Sequence, residues 1–172
     1  MNRCFMHKLN QLEKIIEERI SSLQEEVEIA TNVKLNLIYI SDRRDEIQFL
    51  QWTTRALKSI LSRDDEEQPG ITKERSELTN TIKFENILKE KIQELNLKLK
   101  ESNNLRESDI LINEIDTLEC VLGHLSDLKY GDKARAIEIA EANKNFKQAN
   151  RLREELCKIH DMESEISAQI QN

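Results

Sequence analysis

Residues 111–128, LINEIDTLECVLGHLSDL, decide the class of fold. The large apolar residues of this stretch recur every three or four positions, as on the inner face of an α-helix: Leu111, Ile115, Leu118, Leu122, Leu125 and Leu128. Leu118 and Leu122 are therefore expected to be buried. The run predicts a long helix that ends at Gly131, a residue common just past a helix, with Asp132 as the cap of the next one.

A second seam with the same spacing precedes this stretch and predicts a partner helix. It consists of Leu78, Ile82, Leu88, Ile92, Leu95 and Leu99. Thr72 is a suitable N-cap for this helix, because its hydroxyl can accept from an unpaired backbone N–H. Residues 102–104, Ser-Asn-Asn, predict the turn that joins the two helices.

The N-terminal region carries a wider apolar stripe, which suits a bundle more than a strict coiled coil. The stripe runs through Leu9, Leu12, Ile16, Leu23 and Ala30 and is extended by Val33, Leu37 and Ile40. The favoured interpretation is one long helix over residues 2–63, bent near residues 32–42. Two alternatives stay open: a short strand at residues 35–40, or a new helix capped by Ser41 or Asp42.

These segments predict an all-α protein built from long antiparallel helices, a coiled-coil or helical bundle with a C-terminal helical hairpin. Residues 64–70, DDEEQPG, predict a loop. The expected units are a helix or helix pair at 1–63, a hairpin at 71–130 and a second hairpin at 132–172, together forming one elongated bundle. Only 3 glycines and 1 proline occur, too few for the many turns of a sheet protein of 172 residues.

The composition also bears on the class of function. A net charge of −7 and the lack of a Lys/Arg run argue against direct contact with nucleic acid or an anionic membrane. Neither a long apolar span nor a signal-like N-terminus is present. Three widely spaced cysteines do not make a disulfide framework. The expectation is a protein of the cytoplasm or another reducing compartment. With no glycine-rich phosphate loop, HExxH or CxxC motif, an enzyme is not expected.

Residues 134–156, ARAIEIAEANKNFKQANRLREEL, resemble the UVR motif, a small two-helix hairpin. That motif occurs in excision-repair nuclease subunits, Clp-type ATPases and some centrosomal proteins. The matching positions are Ile137, Ala140, Phe146, Ala149, Leu152 and Arg153, and Arg151 also fits. Lys147 and Asn150 differ from the residues that the family favours. The resemblance implies a protein-docking hairpin.

Within this hairpin, Phe146, Arg151 and Arg153 are the candidate docking residues. Phe146 lies where the two helices turn, and its ring is expected to close the hairpin against Ile137, Ala140 or Ala149. Truncation of this ring should therefore weaken both folding and docking. At least one of the two arginines should stay exposed, as a charged fork that suits an acidic partner surface.

Each cysteine is followed by a histidine three or four positions later, which puts both side chains on one helix face. Two such pairs on adjacent helices would supply a closed tetrahedral zinc site. The candidate ligands are Cys120, His124, Cys157 and His160, and the third pair is Cys4 and His7. The competing interpretation treats each cysteine as a small apolar residue and each histidine as a surface residue.

The leading functional hypothesis is a non-enzymatic scaffold or adaptor that binds other proteins through its helices and the C-terminal hairpin, and that forms a homodimer. No cofactor is expected. One alternative is a helical protein with a structural zinc site, and another is an accessory protein of a nucleic-acid repair or ATPase complex. Trp52, with Phe49 and Tyr39, is expected in the core where helices meet, with a partner-binding spot as the sharper alternative.

Overall fold

The computed structural model describes residues 6–62 and 72–170, and these residues are almost entirely helical. The predicted all-α class is confirmed, because the described residues contain no strand. No helix in this part of the chain is both long enough and apolar enough to cross a membrane. The helical segments are α1 Met6–Asn32, α2 Leu37–Leu61, α3 Lys73–Glu101, α4 Leu105–Ser126, a π turn Asp127–Gly131, α5 Asp132–Ala142 and α6 Phe146–Ile170. The predicted loop at residues 64–70 lies outside the described residues.

The N-terminal region is a helical hairpin, so the favoured single long helix over residues 2–63 is wrong. α1 ends in a Schellman turn, in which Leu35 N–H donates to Ala30 O (2.9 Å) and Lys34 N–H donates to Thr31 O (3.2 Å). Lys34 adopts a left-handed φ of 52°. Asn36 then caps α2 by accepting from Ile38 N–H at 2.9 Å, so neither Ser41 nor Asp42 is the cap.

The turn also corrects the N-terminal stripe, because the chain reverses inside it. The first five stripe residues are buried, as predicted: Leu9, Leu12, Ile16, Leu23 and Ala30. Val33 and Leu37 flank the turn and are 63% and 81% exposed. Ile40 is buried again, one turn into α2.

α3 and α4 form a second hairpin, with the predicted cap at Thr72 and the predicted turn at residues 102–104. Thr72 caps α3 by accepting from Arg75 N–H at 3.4 Å. Asn104 caps α4 by accepting from Arg106 N–H at 3.0 Å. The two hairpins lie side by side, with α2 packed on α3 and α4.

The turns of the two hairpins lie at the same end of the bundle. Asp45, about two turns into α2, acts electrostatically on Glu114, about two turns into α4. Asp42 and Asn113 likewise line one shallow cleft. Because α2 and α4 start at the same level along the bundle axis, the α1–α2 turn and the α3–α4 turn lie at the same end.

One core fills the space between the four helices. It contains all of the predicted α4 seam, with Leu118 fully buried and Leu122 and Leu128 partly buried. Phe84 in α3 is also fully buried, although the seam pattern did not include it. Other members are Leu50, Leu57, Leu88, Leu95 and Val121.

The predicted helix end at Gly131 is wrong. Gly131 has helical dihedrals (φ −57°, ψ −40°), and the chain passes from α4 through the π turn into α5 without a break. A Cβ at Gly131 would meet nothing closer than the Arg135 guanidinium at 3.5 Å. The backbone conformation at this position therefore does not require glycine, and Gly131 does not terminate the helix.

Candidate functional site

The C-terminal hairpin predicted from the UVR-like stretch is present, with its turn at residues 143–145. This is a second Schellman turn, in which Asn145 N–H donates to Ala140 O (2.7 Å) and Lys144 N–H donates to Glu141 O (2.8 Å). Lys144 has a left-handed φ of 56°. Ala140 and Ala149 are buried, as the close approach of two helices requires.

Phe146 does not close this hairpin, contrary to the prediction. It is the first residue of α6 and is 61% exposed. The small side chains Ala140 and Ala149 bring α5 and α6 together, so the turn needs no aromatic plug. Phe146 therefore presents its ring to solvent, and its truncation is no longer expected to weaken folding.

The two candidate arginines have different surroundings. Arg153 reaches across the hairpin to the Glu141 carboxylate of α5 and donates to Asn150 Oδ1 at 3.0 Å. Arg151 is 81% exposed, and its Nε lies 3.4 Å from Glu155 Oε1. The expectation of at least one exposed arginine is confirmed by Arg151. Residues 146, 150 and 153 share one side of α6, because they are four and seven positions apart.

A group of polar side chains around the buried Lys129 connects this hairpin to the bundle. We call Lys129, Glu85, Glu163, Tyr130 and His160 the junction cluster. Lys129 comes from the π turn, and its Nζ lies 2.9 Å from Glu85 Oε2 of α3 and 2.6 Å from Glu163 Oε1 of α6. Tyr130 donates to Glu163 Oε2, and the Tyr130 ring packs on the His160 ring at 4.8 Å between centroids. The π turn thus points two consecutive side chains at α6.

The ion pairs of the junction cluster stabilise the charged forms of Lys129 and Glu85. Burial alone would lower the pKa of Lys129, but Glu163 and Glu85 outweigh burial, and the pKa is raised. For Glu85, burial raises the pKa, but hydrogen bonds from Lys89 and Lys129 prevail and lower it. Burial and the hydrogen bond to Glu163 raise the pKa of Tyr130 to about 12. At neutral pH Lys129 is therefore a fixed cation and Tyr130 a fixed donor. The sequence patterns gave no signal for this cluster, because a buried lysine looks like any surface lysine.

The four proposed zinc ligands are not brought together. Within residues 6–62 and 72–170, no group of three or more His, Cys, Asp or Glu side chains is arranged to hold a metal ion. Cys120 faces a cleft shared with α1 and α2, whereas His160 packs on Tyr130 in the junction cluster. Cys120 and Cys157 are both exposed. The structural zinc hypothesis for these residues is therefore wrong. Cys4 lies outside the described residues.

The predicted aromatic group is split between two places. Trp52 is partly buried and stacks on Phe49, with ring centroids 5.7 Å apart, and both pack against the core. Tyr39 lies near the α1–α2 turn, where it is 37% exposed and contacts the Arg43 guanidinium.

Large apolar side chains are exposed at the end of the bundle that carries the two turns. We call this region the hairpin-tip surface. The first hairpin contributes Ile29, Val33, Leu35, Leu37, Ile38 and Tyr39. The second contributes Leu97, Leu105 and Ile112. Leu105 (86%) and Leu37 (81%) have the largest exposed fractions of these.

Comparison of the chain with models of known protein families, with curated proteins and with solved structures finds no significant match.

Proposed function

We propose that this protein is a non-enzymatic adaptor that binds other proteins, and that the C-terminal hairpin is its docking element. The observation that carries the proposal is the 61% exposure of Phe146 at the start of α6. A large aromatic ring held on a rigid helix, outside any core, is a typical anchor in protein interfaces. The resemblance of residues 134–156 to the UVR motif, which implies a docking hairpin, supports the same reading.

The surroundings of Phe146 indicate the chemistry of the partner. Arg153 lies two turns along the same side of α6, where Glu141 and Asn150 hold its guanidinium. An apolar ring followed by an oriented guanidinium suits a partner pocket that is apolar inside and carries a carboxylate at its rim. Arg151 points to another side of the helix and would contribute only long-range attraction.

The test is affinity capture with the full chain from cells of its natural host, comparing the parent with Phe146→Ala and Arg153→Ala. Both variants should stay folded, because Phe146 is exposed and Arg153 makes a surface ion pair worth about 1 kcal/mol or less. Binding of the captured protein should fall at least tenfold for Phe146→Ala. This loss corresponds to about 1.4 kcal/mol or more, within the range of an aromatic anchor.

Ile139→Ala is the matched control, because Ile139 is also 61% exposed and lies in the same hairpin. This variant should capture the partner as the parent does. If Phe146→Ala and Arg153→Ala retain every protein that the parent retains, the docking role of the hairpin is refuted.

A further inference from the structure

The apolar seams of helices α1 to α4 are buried inside the bundle. Self-association of the chain would therefore have to use another surface. Most stripe and seam residues of α1, α3 and α4 pack into one internal core. Leu78 and Ile82 of the α3 seam are buried instead against Ile166 of α6. The sequence predicts a homodimer on the ground that one chain does not cover its whole apolar stripe, but these buried seams leave no such stripe open along the described helices. The apolar residues that remain exposed on the four helices are concentrated at the hairpin-tip surface.

We infer that the hairpin-tip surface joins two copies of this chain end to end around a two-fold axis. This goes beyond the proposed docking at Phe146, which lies on the C-terminal hairpin. Taking roughly 150 Å² for a fully exposed large apolar residue, the exposed fractions of its nine members amount to about 800 Å². One partner's share of a stable protein interface is also about 800 Å².

The distribution of charge favours a second copy as the occupant. Residues 29–39 and 97–112 contain four basic side chains (Lys34, Lys98, Lys100 and Arg106) and three acidic ones (Glu101, Glu107 and Asp109), a net charge of +1. The whole chain carries −7, so the acidic excess lies elsewhere. Contact between two tips therefore brings together nearly neutral surfaces of mixed sign and keeps the acidic remainders apart.

A two-fold contact at this end would bring together the turns of both hairpins from each copy. In such a contact the same patch of each copy is buried, so each apolar position contributes once from each subunit. The assembly then closes at two copies. The C-terminal hairpins then lie at opposite ends of the dimer. The continuous helix from residue 105 to residue 142 is about 57 Å long, so the dimer should exceed about 110 Å in length.

The test uses light scattering and small-angle X-ray scattering on the full chain at tens of micromolar concentration. The parent should give twice the 20.2 kDa chain mass, with a maximum dimension above about 110 Å. Leu37→Glu combined with Leu105→Glu should give single chains. Each change should raise the dissociation constant roughly tenfold or more, since a buried apolar side chain is replaced by a charge.

Both substitutions are chosen to leave the fold intact. Leu37 and Leu105 are the first residues of α2 and α4, where an acidic side chain interacts favourably with the helix dipole. Circular dichroism should therefore be unchanged. Ile139→Glu adds one negative charge to an exposed apolar position at the other end, and this variant should remain dimeric. Leu37→Gln with Leu105→Gln gives a second, uncharged pair that should also weaken the dimer.

Three results would overturn the inference. The first is a parent protein that stays at 20.2 kDa throughout this concentration range. The second is a dimer that survives both pairs of substitutions, or one whose maximum dimension stays below about 110 Å. The third is growth beyond two copies, which would mean head-to-tail contact between the tip and another surface.

Discussion

At the scale of single residues, Lys129 and Phe146 differ in burial in a way that the sequence does not indicate. Lys129 is 6% exposed and neutralises two carboxylates from different helices, so its charge fixes where α6 lies. Phe146 is apolar and aromatic, yet it lies in solvent. The polar residue therefore has the structural role, and the exposed aromatic residue is the one for which we propose a partner contact.

Lys129→Met should be strongly destabilising, because it removes the buried cation that Glu85 and Glu163 share. The expected loss is about 3–5 kcal/mol of unfolding free energy, as for removal of one partner from a buried ion pair. Lys89→Met is the control, since Lys89 pairs with the same Glu85 but is 55% exposed. That change should cost about 1 kcal/mol or less. Urea denaturation at pH 7 measures both.

The pH dependence gives a further check on this assignment. The pKa of Glu85 is lowered in the folded protein, so its contribution is present above the ordinary value of 4.5 and is lost as pH falls through the folded value. The stabilities of the parent and Lys129→Met should therefore converge in acid. Equal losses for Lys129→Met and Lys89→Met, or a difference that persists in acid, would contradict the role of the junction cluster.

At the scale of elements, two of the interhelical turns have the same conformation. The turns after α1 and α5 are both Schellman turns with a lysine in the left-handed conformation, Lys34 and Lys144. Glycine is the usual residue at this position, because a Cβ there costs about 1–2 kcal/mol. Asn36 and Asn145 follow as helix-capping residues.

Lys34→Gly should stabilise the protein by about 0.5–1 kcal/mol, because relief of the left-handed strain exceeds the entropy cost of glycine. Lys83→Gly is the matched control. Lys83 is exposed within α3, and glycine in a helix interior should cost about 0.5–1 kcal/mol. Thermal melting should therefore shift upward for the first variant and downward for the second. A lower melting temperature for Lys34→Gly would show that the turn does not have this conformation in solution.

At the scale of the whole molecule, stability rests on one core shared by α1 to α4, while the C-terminal hairpin is held by a small second cluster. The second cluster contains Leu78, Ile82 and Ile166, with Met162 packed against it. The junction cluster adds the polar contact between the two parts. Global unfolding should therefore respond most to residues at the centre of the first core.

Leu118→Ala should lower the free energy of unfolding by about 2–5 kcal/mol, because Leu118 is fully buried among several helices. Ile139→Ala removes a similar side chain at a position that is 61% exposed and should change it by about 0.5 kcal/mol or less. Chemical denaturation compares the two. Similar midpoints for both variants would mean that α4 does not face the core as described.

The sequence by itself determined the helical class, the start of α3, the turn between α3 and α4 and most of the buried seam, because apolar spacing and capping residues act locally. Only the tertiary structure decided the rest. The turn at Lys34 contains no glycine or proline, so helix propensity alone predicts a continuous helix across it. Gly131 is helical because α5 continues α4 over the junction cluster. Phe146 is exposed because Ala140 and Ala149 already close the hairpin, and the burial of Lys129 depends on carboxylates 44 and 34 positions away in the chain. These outcomes depend on how whole helices pack against one another, which the local spacing of apolar residues does not encode.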